Sequence, residues 1–246
     1  MTSRILVIEH GSDGGPGRFG PWLADAGVEA VIVRPYAGEL LPKDLEHDGL
    51  IVLGGAMGAT DDERAPWLPG ARALLRQAVA AGVPTLGICL GAQLLAVACG
   101  GEVARGAAGP ELGACPVTVA ADGDALLGGL SGTPRFVQWH FDVITVPPPG
   151  AVPLASSAMY PVQAFRLGDV AWGVQFHPEV TQTDMATWAA SDAVVMRERG
   201  QEPREVLADA IAREDELAVN GHAVAAAFAA VVRACQATPA AAPERA

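Results

Sequence analysis

Short apolar runs alternate with longer amphipathic stretches along the first hundred residues of the chain. The runs are rich in aliphatic and β-branched residues, as buried parallel strands are, and they lie at 5–8, 29–33, 50–53 and 83–88. Apolar residues at helical spacing predict helices at 21–26, 68–79 and 90–99. Strands that alternate with helices predict an α/β fold: a three-layer, mostly parallel, doubly wound sheet with flanking helices.

The pattern changes to shorter strands and turns after Gly101. Residues 115–119 and 135–139 have the β-branched and aromatic content of strands. Residues 163–166 and 170–176 predict a hairpin around a short turn. We therefore expect a sheet that continues beyond its parallel part.

The last part of the chain is helical by its pattern. Thr183 is predicted to cap one helix, and Pro203 is predicted to start another. We expect a single α/β domain over 1–190 and a helical extension over 191–246, with a disordered tail from about residue 237. The helices of the extension can cover the domain, form a homodimer interface or dock on a partner.

A cysteine stands where one predicted strand meets the next helix. Cys89 ends the apolar run that starts at Val83, and Gly87 and Gly91 flank it. So sharp a turn lifts the sulfur out of the sheet, and the N-terminus of a helix favours the thiolate over the thiol. The position suits nucleophilic chemistry, although a buried structural cysteine is the commoner use of this residue type.

A histidine and a glutamate, two residues apart, follow the last predicted strand. Residues i and i+2 of an extended segment share a face, so Glu179 can orient the imidazole of His177. Pro178 between them favours extended backbone at His177. A thiol, a histidine base and a carboxylate that holds the base form the triad of covalent acyl transfer. Without Cys89, a structural histidine would be the simpler interpretation.

Two glycines, Gly54 and Gly55, follow the strand predicted at 50–53. Glycine at the carboxyl end of a strand lets a backbone N–H point into a site, as an oxyanion hole requires. A tight turn between a strand and a helix is the alternative. Because the carboxyl ends of parallel strands meet at one edge of a sheet, we expect Gly55, Cys89 and His177 to lie together.

Three motifs in this order resemble those of the class I glutamine amidotransferases. They are Gly54-Gly55-Ala56-Met57, Gly87-Ile88-Cys89-Leu90-Gly91-Ala92-Gln93 and His177-Pro178-Glu179. The resemblance covers roughly residues 4–190 and implies the flavodoxin-like fold of that family. It implies that Cys89 attacks the side-chain amide of L-glutamine and releases ammonia. His177 would move the proton, and Glu179 would orient His177.

The resemblance also implies how the substrate is held. The N–H groups of Gly55 and Leu90 would bind the oxygen of the tetrahedral intermediate. The residues expected to contact the glutamine are Gly54, Gln93, Trp139 and His140, the last two because Trp139-His140-Phe141-Asp142 resembles the His-x-Asp segment of the family. Phe141 is bulkier than the glycine often found there, and a purely structural role is the alternative for His140.

The composition argues against several classes of partner. Half of the 246 residues are hydrophobic and 18% are charged, so the chain can bury a sizeable core. The formal net charge of −12 argues against a nucleic acid or an anionic membrane as partner. We find no leader pattern and no run of about 18 apolar residues. The four cysteines lack metal-ligand spacing, which predicts reduced thiols in the cytoplasm, and no metal or other cofactor is expected.

Three functions remain open. The chain most resembles stand-alone proteins related to the glutaminase half of GMP synthase. The residues after 190 are too few for a synthetase domain, so we expect the ammonia acceptor to be a separate synthetase subunit or a small molecule. The second function is a γ-glutamyl hydrolase or peptidase with the same thioester chemistry. The third is a non-catalytic regulatory protein that keeps the fold, and the intact triad counts against it.

Overall fold

The computed structural model describes residues 2–130 and 132–237. Within them the strands are β1 (Ser3–Ile8), β2 (Val28–Val33), β3 (Gly49–Val52), β4 (Thr85–Ile88), β5 (Glu102–Arg105), β6 (Glu111–Pro116), β7 (Thr118–Val119), β8 (Arg135–His140), β9 (Asp142–Val146), β10 (Val152–Ser156), β11 (Ala164–Leu167) and β12 (Ala171–Val174). The α-helices are α1 (Phe19–Asp25), α2 (Leu68–Ala81), α3 (Leu90–Ala98), α4 (Gln182–Ser191), α5 (Ala193–Glu198), α6 (Pro203–Ala212) and α7 (Glu214–Ala237).

Eight strands form one sheet in the order β2-β1-β3-β4-β12-β11-β10-β7. The first five run parallel, and β11, β10 and β7 extend the sheet in antiparallel pairs. The pairs β5–β9 and β6–β8 form two further antiparallel ladders. The predicted α/β fold with a mostly parallel, doubly wound sheet is confirmed, and so is the hairpin between β11 and β12.

The sheet has a hydrophobic core on each face, which makes three layers. Ile5 and Val7 of β1 pack in one core with α1 and α7, whereas the alternate residues Leu6 and Ile8 pack in the other with α2 and α3. This alternation follows from the two-residue period of a strand. Since both faces are covered by helices, the parallel strands are mostly apolar, as their sequence predicted.

The long helix α7 belongs to one of these two cores. Its residues Val224, Phe228 and Val232 are fully buried beside β1 and α1. By length and composition α7 is also the one described helix that could cross a membrane, a feature that the search for apolar runs in the sequence did not register. The boundary near residue 190 stays a prediction, and the tail beyond Ala237 lies outside the described residues.

Two local predictions are wrong. The helix after the histidine motif is capped by Thr181, not Thr183: the Thr181 hydroxyl accepts the N–H of Asp184, whose carboxylate accepts the N–H of Thr181 in return. That helix is α4, which ends at Ser191. The strand predicted at 115–119 is divided at Val117, because β6 pairs with β8 whereas β7 joins the edge of the main sheet.

Candidate active site

The turn between β4 and α3 holds Cys89 in a strained backbone conformation. Its φ is 52° and its ψ is −107°. No other non-glycine residue in the described part of the chain has a positive φ. Such conformations persist only where the surrounding structure holds them, and they cluster at active sites. The turn has the geometry of a nucleophile elbow, with the side chain lifted at the carboxyl edge of the sheet.

Gly87 and Gly91 allow the backbone to pack closely around this turn. A Cβ at residue 87 would overlap the carbonyl group of Gly91, and a Cβ at residue 91 would overlap the carbonyl oxygen of Val52 in β3. The first turn of α3 therefore lies directly against the end of β3. This packing brings Cys89 close to the glycines that follow β3.

We expect Gly91→Ala to destabilise the protein by about 3 kcal/mol or more, because a methyl group there must displace the backbone of β3. Gly20→Ala in α1 is the matched control: a Cβ at residue 20 meets nothing within 4 Å, so a helical alanine should stabilise by about 0.5–1 kcal/mol. Urea unfolding followed by circular dichroism measures both changes. Equal stability of the two variants would contradict the close approach of α3 and β3.

His177 and Glu179 follow β12 and lie against the thiol. The backbone N–H of His177 donates to the carbonyl of Val137 in β8 at 2.8 Å. The Nδ1 atom of His177 lies 2.8 Å from Oε1 of Glu179, and both side chains are buried. Because a carboxylate only accepts, Nδ1 carries the proton. The Cys89 side chain lies close enough to the imidazole to interact with its charge. The three predicted triad residues therefore lie together in one cluster.

The surroundings of His177 favour its protonated form. Burial lowers the pKa of His177, but the charges and hydrogen bonds of Glu179 and Cys89 outweigh it and raise the pKa to about 10. A protonated imidazole beside the sulfur can stabilise negative charge on a cysteine nucleophile. It also holds a proton that can go to a leaving amine.

Gly54 and Gly55 lie beside the thiol of Cys89. A Cβ at residue 54 would lie 2.9 Å from Cε1 of His177 and 3.6 Å from Cβ of Cys89. A Cβ at residue 55 would lie 2.9 Å from Cδ2 of Leu90. Since Leu90 is the first residue of α3, its N–H has no acceptor within the helix. The two residues predicted to form the oxyanion hole are therefore neighbours beside the sulfur.

A cavity of about 460 Å³ opens onto the thiol. Every predicted substrate-contacting residue lines it: Gly54, Gln93, Trp139 and His140. The carbonyl of Asp142 holds two of them, because it accepts from Gln93 Nε2 at 2.9 Å and lies 3.2 Å from Nδ1 of His140. The other ring nitrogen of His140 lies 3.1 Å from the carboxylate of buried Glu111. His140 thus has both a structural partner and a place in the cavity wall.

Two further residues of the cavity wall, Trp188 and Asp192, belong to none of the sequence motifs. The ring of Trp188 in α4 lies 4.8 Å from the ring of His177, and its indole N–H donates to the carbonyl of Asp13. Asp192, between α4 and α5, accepts the indole N–H of Trp139 at 2.8 Å. The α4–α5 segment therefore covers one side of the site. The tryptophan was visible in the sequence as an aromatic residue, but nothing in its spacing indicated this position.

The rim of the cavity carries charges of both signs. Its carboxylates are Asp13, Asp61, Asp142 and Asp192, and its guanidinium groups are Arg64 and Arg105. The guanidinium of Arg105 is itself held 4.5 Å above the ring of Phe141 and 3.6 Å from the Asp142 carboxylate. In the described residues, no group of three or more histidine, cysteine, aspartate or glutamate side chains is placed to hold a metal ion.

The buried side chain of His10 packs against the turn at Gly54 and Gly55. A Cβ at Gly55 would lie 2.9 Å from Cβ of His10, and Nδ1 of His10 accepts the indole N–H of Trp67 at 3.0 Å. Its Nε2 atom is buried without a hydrogen-bond partner in the described structure. Burial lowers the pKa of His10 to about 4. His10 thus packs beneath the site as a neutral side chain.

His10 is expected to make the protein sensitive to acid. The folded-state pKa lies below the unfolded value of about 6.5, so its stabilisation is complete above pH 6.5 and is lost as the pH falls through 4. The difference between the folded and unfolded pKa of His10 corresponds to a loss of about 3 kcal/mol in the free energy of unfolding at low pH. His10→Asn keeps an acceptor for Trp67 but does not titrate, so its free energy of unfolding should fall less between pH 6.5 and 4 than that of wild type. Exposed His222 provides the control, His222→Asn, which should behave as wild type.

Comparison with known proteins agrees with this geometry. A model of the family described as "Glutamine amidotransferase class-I" matches residues 22–195. The chain belongs to the class I glutamine amidotransferases. The matched range contains the glycine turn, Cys89, His177 and Glu179. The family predicted from the three motifs is confirmed.

The curated relatives of this amidotransferase include GMP synthases. The glutamine-hydrolyzing GMP synthase of Aeropyrum pernix is 36% identical over 185 residues, which are 73% of this chain and 33% of that protein. The chain thus spans about a third of the length of that relative. In Sulfolobus acidocaldarius, one of the subunits of a glutamine-hydrolyzing GMP synthase is 37% identical over 160 residues, which are 64% of this chain and 80% of that relative.

Solved structures of similar fold cover nearly the whole chain. A glutamine amidotransferase from Thermotoga maritima matches with a TM-score of 0.82 at 28% identity, over 93% of this chain and 99% of its own. One from Methylobacillus flagellatus also has a TM-score of 0.82, at 31% identity, over 93% of this chain and 94% of its own. The likeness therefore extends past the range of the family model into the C-terminal helices.

Proposed function

We propose that this amidotransferase hydrolyses the side-chain amide of L-glutamine through a γ-glutamyl thioester on Cys89 and supplies the ammonia to a separate acceptor. The cluster of Cys89, His177 and Glu179 carries the proposal, because it places a nucleophile beside an oriented base in the wall of a cavity. The same cluster counts against a non-catalytic role, since packing alone does not require these three side chains in this arrangement.

The reaction proceeds in two steps. The sulfur of Cys89 attacks the amide carbon, and the N–H groups of Gly55 and Leu90 stabilise the oxyanion that forms. The carbon–nitrogen bond then breaks, and protonated His177 gives its proton to the departing ammonia. Water attacks the thioester with His177 as the base, which releases glutamate and restores the thiol. Overall, glutamine and water give glutamate and ammonia, and no electrons are transferred.

The names of the relatives support a separate acceptor. One is a whole glutamine-hydrolyzing GMP synthase, of which this chain matches a third, and another is named as one of the subunits of such an enzyme. By analogy, the ammonia of this protein would go to a synthetase on another polypeptide or to a small molecule. We place the reaction in the cytoplasm, because all four cysteines are free thiols.

The size and lining of the cavity favour a second candidate, the hydrolysis of larger γ-glutamyl amides. Its volume of about 460 Å³ lies in the range of sites for drug-sized ligands. Beyond the thiol its wall includes Trp139, Phe141 and Trp188, which could pack against an apolar amine. Such an enzyme would use the same thioester and release an amine in place of ammonia.

The test is the release of glutamate by the purified chain from L-glutamine and from a panel of γ-glutamyl amides with small and aromatic amines. A higher kcat/KM for glutamine than for the other amides supports the glutaminase function. Preference for the larger amides supports the hydrolase. Turnover of neither, also after addition of synthetase subunits from the same cell, would contradict both functions.

A further inference from the structure

Gln175 is a buried polar residue to which no motif assigned a role. It lies between β12 and His177, and its side chain is 1% exposed. Its backbone N–H donates to the carbonyl of Gln163 at 2.8 Å, which fixes the position of its Cα. Its Nε2 atom lies 3.7 Å from the sulfur of Cys89. This is within the reach of an N–H group that donates to sulfur, a large and soft acceptor.

The direction of this hydrogen bond follows from a backbone carbonyl. The carbonyl of Asp142 can only accept, so the atom of Gln93 that lies 2.9 Å from it is the donor Nε2. The same Nε2 lies 3.4 Å from Gln175, so the atom of Gln175 on that side is the acceptor Oε1. The amide of Gln175 must therefore present its N–H groups to the sulfur. The orientation is determined by the network rather than by an arbitrary choice between oxygen and nitrogen.

We propose that Gln175 is a further catalytic residue: its amide N–H donates to the Cys89 sulfur and stabilises the negative charge of the attacking thiolate. Gln93 acts through Gln175 as a positioning residue, because it holds the amide in the donating orientation. The contribution of Gln175 to amide cleavage rests on the proposed function. The effect of Gln175 on the reactivity of the Cys89 sulfur does not rest on the proposed function, because that reactivity is measured without glutamine.

The groups around the sulfur differ in which protonation state they favour. The carbonyl of Trp139 lies 3.8 Å away and can only accept, so it suits the thiol, which carries a proton. Gln175 donates and therefore suits the thiolate, and a donor bonds more strongly to an ionised acceptor than to a neutral one. Once His177 has taken the proton, the amide of Gln175 remains as a neutral donor whose state does not change with pH. The titratable side chain in contact with the thiol is His177, with Glu179 behind it.

The experiment measures the rate at which iodoacetamide alkylates Cys89, followed at this residue by mass spectrometry over a range of pH. Gln175→Leu removes the donor and keeps a similar volume. We expect its rate at pH 7 to fall about tenfold, or about 1.4 kcal/mol. Gln175→Glu replaces the donor by a carboxylate and should react more slowly still.

Gln138→Leu is the matched control, because Gln138 is equally buried and donates to Gln163 rather than to the sulfur. Its alkylation rate should equal that of wild type. A wild-type rate in folded Gln175→Leu would overturn the proposal, and so would an equal fall in Gln175→Leu and Gln138→Leu. If Gln175→Glu does not fold, Gln93→Leu replaces it. This variant no longer holds the Gln175 amide in the donating orientation, so alkylation should also be slower. An unchanged rate would count against the proposed orientation of the Gln175 amide.

Discussion

Replacing Cys89 with serine is expected to lower glutamine turnover by about 10⁴-fold or more. The hydroxyl of serine is a far weaker nucleophile than the thiolate. The fold should be unchanged, because serine differs from cysteine by one atom and the turn is held by the glycines around it. Initial rates of glutamate release measure the loss, and circular dichroism checks the fold.

Cys235→Ser is the matched control for this substitution. Cys235 is also a free cysteine, but it is exposed on α7 and lies outside the cavity lining. The Cys235 variant should retain the wild-type rate. The nucleophile assignment is wrong if folded Cys89→Ser keeps a rate close to that of wild type.

Replacing Glu179 with glutamine is expected to lower kcat by about 10²- to 10³-fold, less than the loss of the nucleophile. The carboxylate does not react; it holds His177 in the correct tautomer and orientation. Burial opposes protonation of His177, and the Glu179 charge is the largest effect that raises its pKa. Without that charge the pKa of His177 should fall, so the proton needed by the leaving ammonia is lost at lower pH. The alkaline limb of the kcat profile should therefore move to lower pH.

Exposed Glu205 on α6 offers a control, because Glu205→Gln removes one negative charge outside the cavity lining. Its pH profile should match that of wild type. A loss in Glu179→Gln as large as that in Cys89→Ser, with an intact fold, would count against the separate roles of carboxylate and nucleophile. An unmoved alkaline limb would show that Glu179 does not control the protonation of His177.

The parallel strands were predictable because their apolar runs are continuous and buried on both faces. β1 was predicted at 5–8 and observed at Ser3–Ile8, and the run before Cys89 became β4. One of the two errors concerned a local choice, and the other was decided by tertiary contacts. Both Thr181 and Thr183 can cap a helix, and only the reciprocal bonds with Asp184 select Thr181. The apolar stretch 115–119 could not show that its two ends belong to different sheets.

The triad was accessible from the sequence because each of its motifs is short and local. The turn at Gly87-Ile88-Cys89 shapes its own backbone, and His177 and Glu179 share a face because they are two residues apart in extended chain. Gly54, Gln93, Trp139 and His140 of the cavity wall were also predicted, but the rest of the wall was not accessible in this way. Trp188 meets Asp13 and His177, and Gln175 meets Cys89 and Gln93, through contacts between distant segments.

The amino-acid sequence by itself determined the α/β class and the family, and it predicted the three residues that we propose as the triad. These properties depend on periodicity and on motifs of a few adjacent residues. Local backbone geometry links such patterns directly to structure. Only the tertiary structure decided which side chains surround the sulfur, which carbonyl orients the amides of Gln93 and Gln175, and how α4 closes the cavity. Those arrangements depend on how strands and helices pack, and packing brings together residues whose separation along the chain carries no regular pattern.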